Sequence, residues 1–259
     1  MNIVVCIKQV PGTTEVKIDP QTNTLVREGV ESIVNPFDTY ALEEGIRLKE
    51  RFGGKVSVIS MGPPQAEVSL REAISLGADE AILISDRAFA GSDTLATSYV
   101  LSRAVEKIGD CDLVICGRQS IDGDTGQVGP GLAQRLGVPF VSYVSNVEEV
   151  GEGHMRVRRM IEEGHEVIGS PLPAVISVTK EINVPRLPSL RGMTRAKSTQ
   201  VAVWSAEDIN AETDMVGVAG SPTRVIKIFF PQRERKSEML QGSPEEQAEA
   251  LAEKLSGLV

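Results

Sequence analysis

The chain has 259 residues, 41% of them apolar and 24% charged, which is enough to bury a large core without disulfide or metal staples. Its 27 basic and 36 acidic residues leave a formal charge of −9, which disfavours nucleic acid as the main partner but allows a local anion-binding patch. One Trp, three Tyr and six Phe give no support for stacking-rich nucleic-acid recognition.

The opening MNIVVCIKQV is far shorter than the roughly 18–20 apolar residues of a membrane span, and no cleavage pattern follows it. A cytoplasmic protein is expected. Cys6, Cys111 and Cys116 lie in or beside strand-like runs without a C-x-x-C pattern, and read as buried thiols of a reducing compartment.

Taken in order, 2–10 reads as a buried strand, 37–53 as a helix stopped by Gly53-Gly54, and 55–62 as a second strand. Helix 64–78, strand 80–86, helix 93–109, strand 111–116 and helix 125–137 follow, then strand and turn from 139. Continuous apolar strands between helices predict an α/β fold, with a mostly parallel sheet covered on both faces. Two strands turned at Glu163-Gly164 form an expected hairpin at the sheet edge, and 173–179 returns as a core strand. From Lys180 to Lys197 five basic residues face the single acid Glu181. Residues 205–242 show little periodic apolar pattern and read as an arm laid on another polypeptide. A last helix opens at the capping candidate Ser243, with Pro244 behind it.

Ligands of such sheets collect at the carboxyl ends of strands. Four segments fall there: KQVPG, SMGPP, AFAGSDT and GRQSIDGDTGQ. In the last, Gly117, Gly123, Gly126 and Gly129 permit close backbone approach. Thr125 and Gln127 stand near a helix start whose free N–H groups suit a phosphate. Asp122 and Asp124 fit turn capping, hydrogen bonds to a sugar or base, or a Mg²⁺ ion that would need further oxygen ligands. Ser92, Asp93 and Thr94 repeat the pattern and are equally suited to capping. Asn35-Pro36 can turn the backbone around an adenine or ribose, Asp38 can cap, and Phe37 reads as a packing anchor. His154 and His165 have no nucleophile near them, and Trp204 suits an interface or the core. No acid–base pair has convincing spacing, so no catalytic side chain and no metal site is expected; redox chemistry would have to come from a cofactor.

At NPFDTYALEEGIRLKE, GRQSIDGDTGQVGP and LPAVISVTKEINVPRLPSLRGMTRAK the chain resembles the β subunit of electron-transfer flavoprotein, and the resemblance runs from end to end. It implies a heterodimer with an α subunit, a nucleotide-binding core over 1–182, and a recognition loop and arm over 183–259 that packs on α. It implies that Cys6, Asn35, Pro36, Phe37, Asp38, Met61 and the run Gly117, Arg118, Gln119, Ser120, Asp122, Gly123, Asp124, Thr125, Gly126, Gln127 and Val128 contact a nucleotide. In ordinary members that nucleotide is AMP. In bifurcating members it is a second FAD, which takes hydride from NADH and divides the pair between ferredoxin or flavodoxin and the α-subunit FAD. Gly123-Asp124-Thr125, Val128-Gly129-Pro130 and AFAGSDTLAT resemble the bifurcating type, with Ser92, Asp93 and Thr94 toward the extra phosphates or ribityl chain and Arg118 as a tuning residue. The alternative is an ordinary AMP-binding subunit serving acyl-CoA-type dehydrogenases. Leu190 matches the family's anchoring leucine for a partner dehydrogenase, with Arg191, Arg195 and Lys197 around it.

Overall fold

The structure, a computed structural model, describes residues 1–12, 17–18, 25–26, 32–226 and 237–257. Met1–Ile226 form one compact unit and Lys227–Val259 a second. The first is built on a nine-stranded sheet.

Strand β1 (Asn2–Cys6) is buried from its second residue on. It stops at Cys6 rather than running to residue 10, because the N–H of Lys8 is taken by the carboxylate of Asp38 at 2.7 Å. The chain then forms β2 (Gln9–Pro11), β3 (Lys17–Ile18), β4 (Leu25–Val26) and β5 (Ser32–Val34); β2 pairs with β5 and β3 with β4, both antiparallel. Helix α1 (Pro36–Phe52) opens on a proline, whose missing N–H costs nothing at that position. Next come β6 (Lys55–Met61), α2 (Glu67–Leu76), β7 (Glu80–Ile84), α3 (Thr94–Ile108) and β8 (Leu113–Gly117).

Helix α4 (Val128–Leu136) starts three residues later than the sequence suggests. Asp124 (φ 54°) and Gly126 (φ 63°) hold left-handed backbone, which a right-handed helix cannot include. Strand β9 (Phe140–Gly151) is a single long element in place of the expected strand and turn, since it pairs with partners on both sides. The hairpin β10 (His154–Ile161) and β11 (Gly164–Pro171) forms as expected, followed by β12 (Ala174–Val178), α5 (Leu190–Ser198) and β13 (Ala202–Trp204).

Across the sheet the order is β11-β10-β9-β12-β8-β1-β6-β7-β13. All neighbours from β9 to β13 are parallel, and β9, β10 and β11 are antiparallel. The chain starts in the middle at β1, builds outward through β6 and β7, then returns to the other side of β1 for β8. That reversal makes a switch point between β1 and β8. One sheet face packs on α1 and α2 through Ile3, Val5, Leu42, Ile46 and Leu70, and the other on α3 and α4 through Val4, Val100, Val114 and Leu132.

Much of the expected arm belongs to this unit. Ile209 and Val216 are buried in the α3 face, and Tyr99 Oη accepts the Glu212 N–H at 3.0 Å. Arg103 and Lys107 donate to the carbonyls of Ile209 and Asp208, at 3.3 and 2.6 Å. Trp204 is half-buried, with the Lys107 ammonium 4.5 Å from its ring. Residues 227–236 of the arm lie outside the described residues. In the second unit, α6 (Pro244–Ser256) carries the expected cap, with Ser243 and Glu246 each bonding the other's backbone N–H. Among the described residues no helix is long and apolar enough to cross a membrane.

Candidate functional site

The switch point is assembled from three chain segments: the end of β1, the start of α1 and the loop after β8. Gly117 makes their meeting possible. A Cβ there would lie 2.3 Å from the Asp38 carboxylate and 2.7 Å from the Phe37 carbonyl carbon, so α1 can press its first turn onto β8 only because the side chain is absent.

Asn35 is fully buried just before α1 and ties the loop down. Its amide donates to Gln119 O at 2.9 Å and accepts the Ile121 N–H at 3.0 Å, while its own N–H donates to Lys8 O at 2.8 Å. Lys8, which pattern reading passed over, closes the circuit. Its ammonium pairs with both oxygens of Asp122 at 2.7 Å. Burial works against the Asp122 carboxylate, but the Lys8 hydrogen bond and charge hold its pKa below the ordinary value. Being half-exposed, the pair orients the loop more than it stabilises the fold.

Asp38 is buried and faces inward. It accepts the Lys8 N–H at 2.7 Å, so it fastens the end of β1 to the start of α1. Burial pushes its pKa up from 3.8 to about 7, with the polar groups and the Lys8 charge around it opposing. The folded state therefore holds this proton more tightly than the unfolded chain. The resulting stability is complete below about pH 4 and is lost as pH rises through 7. In an Asp38→Asn variant, which keeps an acceptor for Lys8 but cannot ionise, unfolding stability relative to the parent should rise by up to about 4 kcal/mol between pH 4 and pH 8. Urea titrations at several pH values measure this, and parallel pH profiles would rule the coupling out.

Beyond these anchors the loop stands in solvent. Asp124 bonds Ser120 O through its N–H at 2.8 Å and takes the Gln119 amide on its carboxylate. Thr125 and Gln127 are exposed immediately before α4, with Gln127 at the cap position. Pro130 lacks an N–H, so the first-turn donors of α4 are the amides of Val128 and Gly129. Loop and helix start together offer backbone donors, a hydroxyl and two amide side chains on an open rim, a set that suits a phosphate and ribose. Among the described residues no group of three or more His, Cys, Asp or Glu side chains is placed to hold a metal ion.

Cys6 and Cys116 are register partners across β1 and β8, both buried beneath this rim. The neighbouring Cys116 thiol, together with burial, raises the Cys6 pKa and keeps it a neutral thiol. Met61 ends β6, the next strand over.

Ser92, Asp93 and Thr94 sit one strand farther out, after β7. Asp93 caps α3 with one oxygen (Leu95 N–H 2.9 Å, Ala96 N–H 3.1 Å) and takes the Thr223 N–H and hydroxyl on the other, at 3.0 and 2.8 Å. Ser92 donates to Phe89 O and accepts the Gly217 N–H. Both side chains thus hold the segment 217–223 in place. The two histidines lie on the hairpin, away from the switch point.

A second surface stands apart. Ser189 caps α5, which leaves Leu190 80% exposed. Arg191 and Lys197 are also exposed, whereas Arg195 turns onto α2 and donates to the carbonyls of Ile74 and Ala78. The approach to α5 is clamped by Arg186, whose guanidinium engages Glu43 and Glu50 of α1.

Fold and site together define a doubly wound α/β chain whose switch point carries an open rim of backbone donors that suits a phosphate and ribose. The family described as electron transfer flavoprotein domain matches residues 22–209. The chain is 51% identical to an electron transfer flavoprotein subunit beta of Thermoanaerobacterium thermosaccharolyticum, over 99% of this chain and 98% of that protein. It is 47% identical to the caffeyl-CoA reductase-Etf complex subunit CarD of Acetobacterium woodii (94% and 93%), and 45% identical to protein FixA of Azotobacter vinelandii (98% and 94%). The chain belongs to the electron transfer flavoprotein family, among its β subunits.

Proposed function

We propose that this chain pairs in the cytoplasm with an electron transfer flavoprotein α subunit and holds FAD at the β1/β8 switch point, as the bifurcating half of the complex. The observation that carries this reading is the loop 117–128, pinned from below by Asn35 and Lys8 and open above toward the α4 N-terminus. Similarity to a subunit of a caffeyl-CoA reductase-Etf complex supports it.

The residues present fit the cofactor. Gly117 lets the first turn of α1 close against β8 beneath the rim, and the amides of Val128 and Gly129, with Thr125 and Gln127 beside them, suit a pyrophosphate. When bound, FAD supplies the chemistry: it accepts a hydride from NADH and passes electrons on singly, toward ferredoxin or flavodoxin and toward the α-subunit FAD that serves a partner dehydrogenase. The chain's own part is to bind, orient and electrostatically bias the site. The Cys6 thiol is buried and held neutral and Asp38 faces inward, so neither offers a nucleophile to compete with electron transfer. Leu190, with Arg191 and Lys197 nearby, provides an apolar knob with a charged rim for transient docking of the dehydrogenase.

Anaerobic NADH titration of the co-expressed complex tests the reading. Flavin absorbance should bleach without any added dehydrogenase. Flavins that stay oxidised under excess NADH would contradict it.

A further inference from the structure

We infer that Arg186 is a positioning residue for partner docking: it ties the extended segment before α5 to α1, so that Val184, Leu187 and Leu190 stand out in one apolar row. The inference rests on the proposed docking of a dehydrogenase at Leu190 and lengthens that surface from one side chain to three.

The segment 183–189 forms no helix or strand. Pro185 and Pro188 fix their own φ and disfavour helical backbone at Val184 and Leu187, the residues before them. Ser189 follows at φ −81° and ψ 156°, and Leu190 opens α5. Extended backbone of this kind turns once in about three residues, so positions 184, 187 and 190 share a side. Their side chains are 87%, 89% and 80% exposed.

Apolar packing does not set this course, because no side chain between Ile182 and Ala196 is buried. Polar bonds do. Arg186 donates from Nε and Nη2 to the two oxygens of Glu43, at 2.8 and 3.1 Å, and from Nη1 and Nη2 to those of Glu50, at 2.6 and 2.9 Å. Its backbone N–H adds a bond to Glu43 at 3.2 Å. A planar guanidinium gripping two carboxylates fixes direction as well as distance, which a lysine does not. The Glu43 side chain is only 7% exposed, so salt screens this half of the clamp little.

The flanks are held in the same way. Asn183 donates to Tyr40 O and to Glu44 of α1 at 3.0 and 3.1 Å, and Arg71 of α2 donates to the carbonyls of Ala196 and Thr199 at 2.7 and 3.2 Å. The row thus loses its ordering entropy on folding and not on docking. With Arg191 and Lys197 exposed beside it, the surface that fits is an apolar groove with an acidic rim on the dehydrogenase.

Reduction of the co-expressed αβ complex by an acyl-CoA dehydrogenase charged with its acyl-CoA, one that the parent complex saturates, tests this with the complex as the varied substrate. Arg186→Gln should raise the KM about tenfold at unchanged kcat and flavin content, and should speed amide hydrogen exchange across 183–194 alone. Arg186→Lys should recover little of the KM. Glu50→Gln breaks the exposed half of the clamp and decides the matter if Arg186→Gln does not fold; about a threefold rise is expected. Leu187→Ala should raise the KM without changing exchange, as a contact and not a positioning residue would. Faster exchange throughout the chain in Arg186→Gln, or loss of the α subunit from Leu187→Ala, overturns the inference. Leu190→Ala separates the two readings. A KM raised there but not in the Arg186, Glu50 or Leu187 variants defeats the inference alone, whereas an unchanged KM in Leu190→Ala defeats the docking on which it rests.

Discussion

Replacing Asn35 by alanine should release the nucleotide proposed for the switch point. The side chain is fully buried and satisfies two loop backbone groups at once, Gln119 C=O and Ile121 N–H. Its removal leaves both without a partner in a site where each costs about 1–3 kcal/mol. The loop can recover those bonds only by turning outward to water, and its rim then loses its shape. An affinity loss of about 100-fold, equivalent to roughly 2.8 kcal/mol, is expected for the nucleotide at the switch point. Asn35→Asp keeps the acceptor for Ile121 but not the donor for Gln119, and should fall between the two. Equilibrium dialysis of AMP and FAD against the parent and both variants measures this. Equal affinity in all three would mean that the loop holds its form without Asn35.

Gly117→Ala carries the other large effect, and it acts on stability first. The added methyl would overlap the Asp38 carboxylate and the Phe37 backbone, neither of which is a flexible end that can swing away. The first turn of α1 would have to lift from β8, breaking the bond from the Lys8 N–H to Asp38. A cost of about 3 kcal/mol follows from overpacking of this kind. Gly123→Ala is the matched control, because its nearest neighbour is Ser120 Oγ at 3.5 Å, an ordinary contact. Chemical denaturation should show a large drop for the first variant and almost none for the second. Similar midpoints for the two would mean that α1 and β8 do not pack as described.

These expectations depend on details of unequal visibility in the sequence. The sheet was plain, because VVCI, VSVI, AILI and LVIC are continuous apolar runs that only a strand buried on both faces requires. Helix ends were nearly as plain, since Gly53, Gly109 and Gly137 all adopt the positive φ that stops a helix. The loop announced itself through its glycines. Lys8 did not, because its importance lies in a backbone N–H and a long-range ion pair that no local pattern encodes.

A cavity of about 680 Å³ beside the loop was invisible for a related reason. Its wall draws on residues near 37, 118, 143, 159 and 180, brought together only by the strand order. Tyr143 in left-handed backbone runs against residue preference, so sequence reading places it in an ordinary strand. The arm's packing on its own chain was hidden too. Ile209 and Val216 are single apolar anchors in a polar stretch, and hydrogen bonds from Arg103, Lys107 and Tyr99 do the rest of the docking. Side-chain-to-backbone bonds of this kind leave no periodic trace.

The central claim is that the switch point holds a second flavin. Acid extraction of the co-expressed, purified αβ complex, with the released nucleotides separated and counted against protein, tests it most directly. Two FAD per complex and no AMP is the predicted result. One FAD with one AMP would contradict it.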